Sequence, residues 1–393
     1  MRCFSSSFFL IKKLVLNFLK VQNSMLFENL MSAIASVDFT NYLCAYQNLD
    51  ITVYPESVRM TVIRMREFTQ SKVFFDGHIK LGSGTEGVVY KGHYVNIRGV
   101  KTVCAFKVFK NDDSILDEVE MLWKSAGVRS MVGLHGIFSY KPMTPGKGNA
   151  LALDYVEGPT IRLSKAILEW SSPFEADTIE LARQLFEFLV EIKTPTSTRK
   201  TGLMHLDLSG NNVFWNRRKL VIIDAGLMAE IGFLKDAVVQ LETCRAPEIF
   251  LNQKSIDNMG NEQIRYTESV DVWSVGVLVH EYVTAKAFNF IQNTPIHGRT
   301  VVPQLIGRIG MPPASYLNTV VAADKFFNKK EDGTFVLKRE LLNASKCRSL
   351  EETHRNCPNS SPLMLDLLKR ILVWNPAERI TAEQALTHPI FKK

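Results

Sequence analysis

The sequence predicts an α+β fold in two lobes, a small antiparallel-sheet lobe with one helix followed by a larger, mainly helical lobe. Two observations carry this expectation. From Lys72 the chain runs through short segments rich in β-branched and aromatic residues, separated by glycines and polar turns. From about Pro173 the apolar residues instead fall at helical spacing, as in IELARQLFEFLVEI and VDVWSVGVLVHEYV. At 393 residues, 46% hydrophobic and 22% charged, the chain is large enough to bury a core in each lobe and too apolar to be disordered as a whole.

The elements follow in order. The amino terminus, MRCFSSSFFLIKKLVLNFLKVQNSMLF, is basic and has no acid before Glu28. It has the composition of a transit peptide, but Lys12 and Lys13 break the apolar run that a signal peptide needs, and the run is short of the roughly 20 apolar residues that span a bilayer. An amphipathic helix on the domain, or residues upstream of a start at Met25 or Met31, is the favoured account. Residues 1–71 are expected to form a partly helical extension without a chemical motif. KVFFDGHIKLG, GVVYKGHYV and TVCAFKVFK read as three consecutive antiparallel strands. DDSILDEVEMLWKSAG, with Ile115, Val119 and Leu122 at helical spacing behind an Asp-rich start, reads as a helix. GLHGIFSY and ALALDYV return to strand. In the helical part only NNVFW and KLVIID keep a strand pattern. Two lobes usually leave a cleft, and clefts bind ligands.

Charge and cysteines narrow the classes. A net charge of +7 permits acidic partners, but with the basic residues scattered it supports nucleic-acid or membrane binding only weakly, and no nucleic-acid partner is expected. Six cysteines without a C-x-x-C pair read as reduced thiols, expected of a cytoplasmic or nuclear protein. Cys347, His354 and Cys357 cluster in sequence, but no second ligand pair at zinc-site spacing accompanies them.

Two motif groups carry chemistry. In LGSGTEGVVYKG, Gly82, Gly84 and Gly87 stand in the pattern G-x-G-x-x-G with Val89 two residues on. Glycines there let backbone N–H groups approach phosphate oxygens. A dinucleotide-binding loop would run into a helix, whereas GVVYKGHYV continues as a strand. Lys107 ends the next strand and would bring a fixed positive charge to the phosphates. Glu118 can hold it by an ion pair, and Glu120, on another side of the helix, is the rival. Leu81, Val89 and Ala105 are suited to enclose an adenine ring, with Leu153 behind it and the backbone from Asp154 to Val156 as its hydrogen-bonding edge. The second group is MHLDLSGNNVFW, where Asp207 can orient a substrate hydroxyl and Asn212 can bind a metal. Asp224, after the apolar run LVII, is the second metal ligand.

Together these motifs make the chain similar to the eukaryotic protein kinases from about residue 76 to 391. CRAPEIF matches the end of the activation segment, DVWSVG the helix that anchors the large lobe, and NPAERITAEQALTHPIF the carboxy-terminal pattern, with Arg379 placed to pair with Glu248. RAPEI and QLIGRIGMPPASYL look most like the CMGC group of cyclin-dependent and MAP kinases. The resemblance implies a bilobal protein-kinase fold over 72–391, with an N-lobe of about 72–153, a C-lobe of about 158–391 and a CMGC-like insert of about 287–359. It also implies ATP with Mg²⁺ (or Mn²⁺), a protein substrate phosphorylated on Ser or Thr, no membrane span, and a regulatory or scaffold protein as a further partner. Arg245 fits a pocket that in this group favours proline after the acceptor.

Four positions depart from the family pattern. Leu206 replaces an Arg that binds a phosphorylated activation segment, and residues 224–242 contain no Ser, Thr or Tyr to phosphorylate. Ser209 replaces a Lys that touches the transferred phosphate, and Leu241 the Thr that accompanies it. Losing such a charge-assisted contact, worth roughly 1.5–3 kcal/mol, slows the chemistry without removing base or metal ligands. Ala225 replaces a packed Phe, a loss of about 3–5 kcal/mol unless Leu227 or Met228 refills the space. The alternative reading is therefore a pseudokinase, a nucleotide-binding scaffold that transfers nothing.

Overall fold

The computed structural model describes residues 49–52, 72–84, 86–95, 98–110, 113–140, 148–162, 175–196, 199–216, 218–232, 234–235, 239–252, 264–289 and 300–392. The chain divides into two units, one made of Met1–Ala126 and Val132–Val156, the other of Gly127–Met131 and Glu157–Lys393.

In the first unit the strands are β1 (Leu49–Thr52), β2 (Lys72–Ser83), β3 (Gly87–Val95), β4 (Lys101–Phe109), β5 (Leu134–Tyr140) and β6 (Gly148–Asp154), with helix α1 (Asp113–Lys124) between β4 and β5. They form one sheet in the order β1-β5-β6-β4-β3-β2, antiparallel at every pairing. The three strands expected from Lys72 onward are there, as are the helix and the two strands after it. Strand β6 lies between β4 and β5 and buries Ala150, Leu151 and Ala152, and β4, between β6 and β3, buries Cys104, Phe106, Lys107 and Phe109. Helix α1 buries Ile115, Val119 and Leu122 at the spacing read from the sequence. Within the extension, β1 adds an edge strand to β5. The four described residues of the extension are thus strand, not helix, and the helical character expected elsewhere in residues 1–71 lies outside the described residues.

In the second unit, α2 (Glu175–Lys193) buries Leu181, Leu185, Phe188 and Ile192. Short ladders follow: β7 (Leu203–Met204) with β10 (Ala229–Glu230), β8 (Val213–Asn216) with β9 (Lys219–Ile222), and β11 (Leu234–Lys235) with β12 (Ile264–Arg265). The two expected strand segments are β8 and β9, and the two-residue ladders are additions that no periodicity announces. Helix α3 (Pro247–Leu251) opens with Pro at its first position. Helix α4 (Ser269–Thr284) is buried on nearly every side, as its apolar sequence requires. Beyond it come α5 (Val301–Ile309), α6 (Ala314–Leu317), the hairpin β13 (Phe327–Lys329) and β14 (Phe335–Leu337), α7 (Leu350–Arg355), α8 (Pro362–Ile371) and α9 (Ala382–Leu386). Gly276 lets α8 approach α4, because a Cβ there would lie 2.5 Å from Ile371 and 2.9 Å from Leu372. A small antiparallel-sheet unit and a larger helical unit are the bilobal architecture that the sequence predicts.

Candidate active site

The residues expected to face phosphate sit in the first unit. Strand β2 ends at Leu81, Gly82 and Ser83, and the Gly84 N–H closes the turn on the Gly87 carbonyl at 2.9 Å. The glycines differ in what they are for. A Cβ on Gly87 would sit 2.2 Å from the Val108 carbonyl oxygen, so β3 could not lie against β4 there with a larger residue. Gly82 and Gly84 have nothing within 4 Å of such a Cβ. Packing does not explain them, and open space at both is what close approach of a ligand would need.

Val89 pairs in register with Lys107, and Ala105 lies between Lys91 on one side and Leu153 on the other. This sets Val89, Ala105 and Lys107 on adjoining strands. Lys107 donates to Glu118 at 2.6 Å, and Glu118 is fully buried. Glu120 instead pairs with Lys124, also at 2.6 Å, which resolves the rivalry in favour of Glu118. Sequence reading missed a second carboxylate: Glu86, inside the glycine loop, lies 3.5 Å from the Lys107 ammonium. Its signal was present, an acid between two motif glycines, but the pattern counts only the glycines.

At the end of β6 the Asp154 N–H is engaged by the Gly133 carbonyl at 2.9 Å, and its carboxylate accepts from the Gly133 N–H at 2.7 Å and lies 2.7 Å from His135 Nε2. What Asp154 can present to an adenine edge is thus its carbonyl, with the Val156 N–H two residues on. Leu153 is buried beside them.

The second unit carries the carboxylates. The loop after β7 hangs from Asp271 of α4, whose carboxylate accepts the N–H groups of His205 (2.7 Å) and Leu206 (2.9 Å). That burial pushes the Asp271 carboxyl up to about 6 even with two donors. Leu206 is fully buried with φ 63°, a left-handed conformation that a leucine keeps only where its surroundings fix it. The Asp207 N–H donates to His205 Nδ1 at 3.2 Å, and burial holds the His205 imidazole down at about 4, so it is neutral. Asn212 donates to the Asp207 carboxylate at 2.7 Å and to its carbonyl at 3.0 Å. Asp224 follows β9 with φ 67° and accepts from the Gly226 N–H at 3.3 Å. Asp207 is pushed up to about 7, first by burial and then by the Asp224 charge. Asp207, Asn212 and Asp224 are thus one cluster. Its hard oxygen donors fit Mg²⁺, and a cation there relieves the repulsion between the two carboxylates.

The four departures now have surroundings. Ser209 is buried, its carbonyl receiving the Asn212 N–H in the loop's own turn. Ala225 is fully enclosed and Met228, which closes a turn on its carbonyl, is buried beside it in sequence. The Leu241 backbone N–H lies beside the Asp207 carboxylate and favours its charged form, an influence no side-chain pattern could announce. Arg245 is buried and donates to the carbonyls of Val239 (3.0 Å) and Gln240 (2.9 Å). Arg379 meets Glu248 in a two-pronged pair, as its motif implies.

The protein kinase domain, as a family description, matches residues 75–391. The chain belongs to the protein kinase family. A mitogen-activated protein kinase p38a of Drosophila melanogaster is 30% identical over 193 residues, 49% of this chain and 45% of that protein. A mitogen-activated protein kinase HOG1 of Wallemia sebi is 30% identical over 189 residues, 48% and 58% of the two chains. The extracellular signal-regulated kinase 2 of Dictyostelium discoideum is 25% identical over 320 residues, 79% and 77%. In the first two comparisons the chain spans about half the length of the relatives it matches. Within the kinases it is most like the CMGC group, to which MAP kinases belong, and the modest identity marks it as divergent.

Proposed function

We propose that this chain is an active, ATP-dependent protein kinase that phosphorylates Ser or Thr of protein substrates. The observation that carries the reading is the cluster of Asp207, Asn212 and Asp224, complete in a loop that has lost several supporting side chains. Lys107, fixed by Glu118, and the loop of Gly82 and Gly84 bind the nucleotide phosphates, while Leu81, Val89, Ala105 and the 154–156 backbone hold the adenine. Asn212 and Asp224 hold Mg²⁺, which when bound neutralises charge building on the transferred phosphate. Asp207 accepts the hydroxyl proton, and its hydrogen bond from Asn212 orients it.

Proline after the acceptor residue is the favoured context. Gln240 has φ 64°, and its carbonyl is turned onto Arg245. A substrate N–H arriving there meets no acceptor, and proline, having no N–H, loses nothing. Residues 224–242 hold no hydroxyl, so activity does not depend on phosphorylation within them. The proposed location is cytoplasmic or nuclear, and no helix among the described residues is long and apolar enough to cross a membrane.

A second reading, a nucleotide-binding scaffold, is favoured by Ser209, which is buried where the family has a phosphate-contacting Lys. Single-turnover transfer from labelled ATP to myelin basic protein separates the two. Transfer by the wild type with Mg²⁺ or Mn²⁺ and none by Asp207→Asn supports the kinase. Absence of transfer by both, with nucleotide still bound and candidate activating partners added, supports the scaffold.

A further inference from the structure

The segment after residue 238 has no hydroxyl before Thr243, yet it is fastened at several points, and one residue makes most of the fastenings. Gln240 is buried in the left-handed region. Its backbone N–H donates to the Leu206 carbonyl at 2.9 Å, and its own carbonyl accepts from Arg245 at 2.9 Å. The side-chain Nε2 donates to the Val270 carbonyl at 2.7 Å and lies 2.9 Å from Ser274 Oγ, while Oε1 accepts the Ala246 N–H at 2.8 Å. Helix α4 and the start of α3 therefore converge on the Gln240 side-chain amide, while the catalytic loop is held by the backbone N–H of the same residue. A carboxylate, which only accepts, or an apolar side chain of the same length could not do this, since the site needs a donor at one end and an acceptor at the other. The next residue, Leu241, is the one whose N–H lies beside Asp207.

We propose that the Gln240 side chain is a positioning and specificity-determining element that holds segment 239–246 in its substrate-accepting shape in the unmodified chain. It does so in place of a phosphate–arginine contact. The inference rests on the kinase reading and adds what sets the segment when neither the Arg nor the phosphorylated residue is present. Held by the amide, Gln240 keeps its carbonyl on Arg245 and Leu241 keeps its N–H beside Asp207. Without it, the left-handed backbone has less to fix it, and both contacts loosen together.

The test uses the full chain, treated with phosphatase, as wild type, Gln240→Met and Gln240→Glu. Measured are kcat and KM for peptides with Pro or Ala after the acceptor, KM for ATP, and hydrogen exchange at the Leu241 and Ala246 amides. The expected result is wild-type transfer that phosphatase leaves unchanged. Both variants raise peptide KM by roughly tenfold or more with ATP KM unaltered. The Pro-over-Ala preference shrinks, and the two amides lose protection while those of α2 keep it. Peptide kinetics within about twofold of wild type, with protection intact, overturns the proposal. So does wild-type transfer that phosphatase abolishes. Should the Gln240 variants fail to fold, Ser274→Ala removes one partner alone, and a smaller change of the same kind is expected; no change overturns. If the wild type transfers nothing, the kinase reading fails by itself, and exchange at Leu241 and Ala246 decides on the staple.

Discussion

Arg379 donates two parallel hydrogen bonds to Glu248, at 2.7 and 2.9 Å, from 131 residues further along the chain. The same guanidinium caps the carbonyls of Ser269 and Val373 and lies 5.1 Å over the Trp273 ring. With both side chains nearly out of solvent, removing one partner strands the other's charge. Glu248→Gln and Arg379→Met should each lower the unfolding free energy by about 3–5 kcal/mol in urea titrations. The double variant should cost less than their sum, because the stranded charge is gone. Additive losses would show that the two residues act separately.

The carboxylates of Glu118, Glu120 and Glu86 should behave differently. Glu118→Gln weakens transfer, because it frees a lysine that is fixed at 2.6 Å. Glu120→Gln, at a half-buried i,i+4 pair with Lys124, changes stability by less than about 0.5 kcal/mol. Glu86→Gln should tighten nucleotide binding, since the carboxylate at 3.5 Å competes with phosphate for the same ammonium. A gain of about 0.5–1 kcal/mol is expected, measured by displacement of a fluorescent ATP analogue. Weaker binding in Glu86→Gln would mean that Glu86 helps place Lys107 instead.

The loop glycines should separate binding from folding. Gly82→Ala and Gly84→Ala meet no neighbouring atom and should leave the melting temperature nearly unchanged while weakening ATP binding. Gly87→Ala drives a methyl against the Val108 carbonyl and should destabilise the sheet by about 1–3 kcal/mol. Calorimetry beside nucleotide titration distinguishes the two outcomes, and a stable Gly87→Ala would count against the close strand contact.

Acid should weaken the helical unit through His354. This side chain is buried, its Nε2 lying 2.9 Å from His280 Nδ1 and its Nδ1 2.6 Å from Ser360 Oγ. Burial holds it neutral, with a pKa lowered to about 4. A folded pKa below the unfolded value gives stability that is complete above about pH 6.5 and is lost as pH falls toward 4. The loss is roughly 2–4 kcal/mol across that window. Urea midpoints between pH 7 and 4.5 should fall less steeply for His354→Gln than for the wild type, and parallel slopes would refute the assignment.

Much of this site can be read in the sequence, for a physical reason. Lys107, Asp207, Asn212 and Asp224 act through side chains that need fixed spacing along short strands and turns, and spacing survives in a linear text. Glu118 was distinguishable from Glu120 because a helix shows its two carboxylates to different sides. Leu241 and Gln240 were not legible, because the first works through a backbone N–H and the second through partners about 30 residues away. Asp271 sits inside an apolar helix, where its pairing with the His205 and Leu206 amides has no local signal. The two-residue ladders β7–β10 and β11–β12 are too short to show alternation, and they exist because other segments bring them together.

Helix α4 carries three groups that reach outward: the Val270 carbonyl, Asp271 and Ser274. It touches none of the reacting atoms, yet the catalytic loop and the segment that follows it are both hung from its first two turns. A random library selected for lost phosphorylation should therefore be enriched along this helix as strongly as in the loop that bears Asp207. Its hits will include small changes such as Ser274→Ala and Asp271→Asn, in protein that is still made, folded and present at normal abundance.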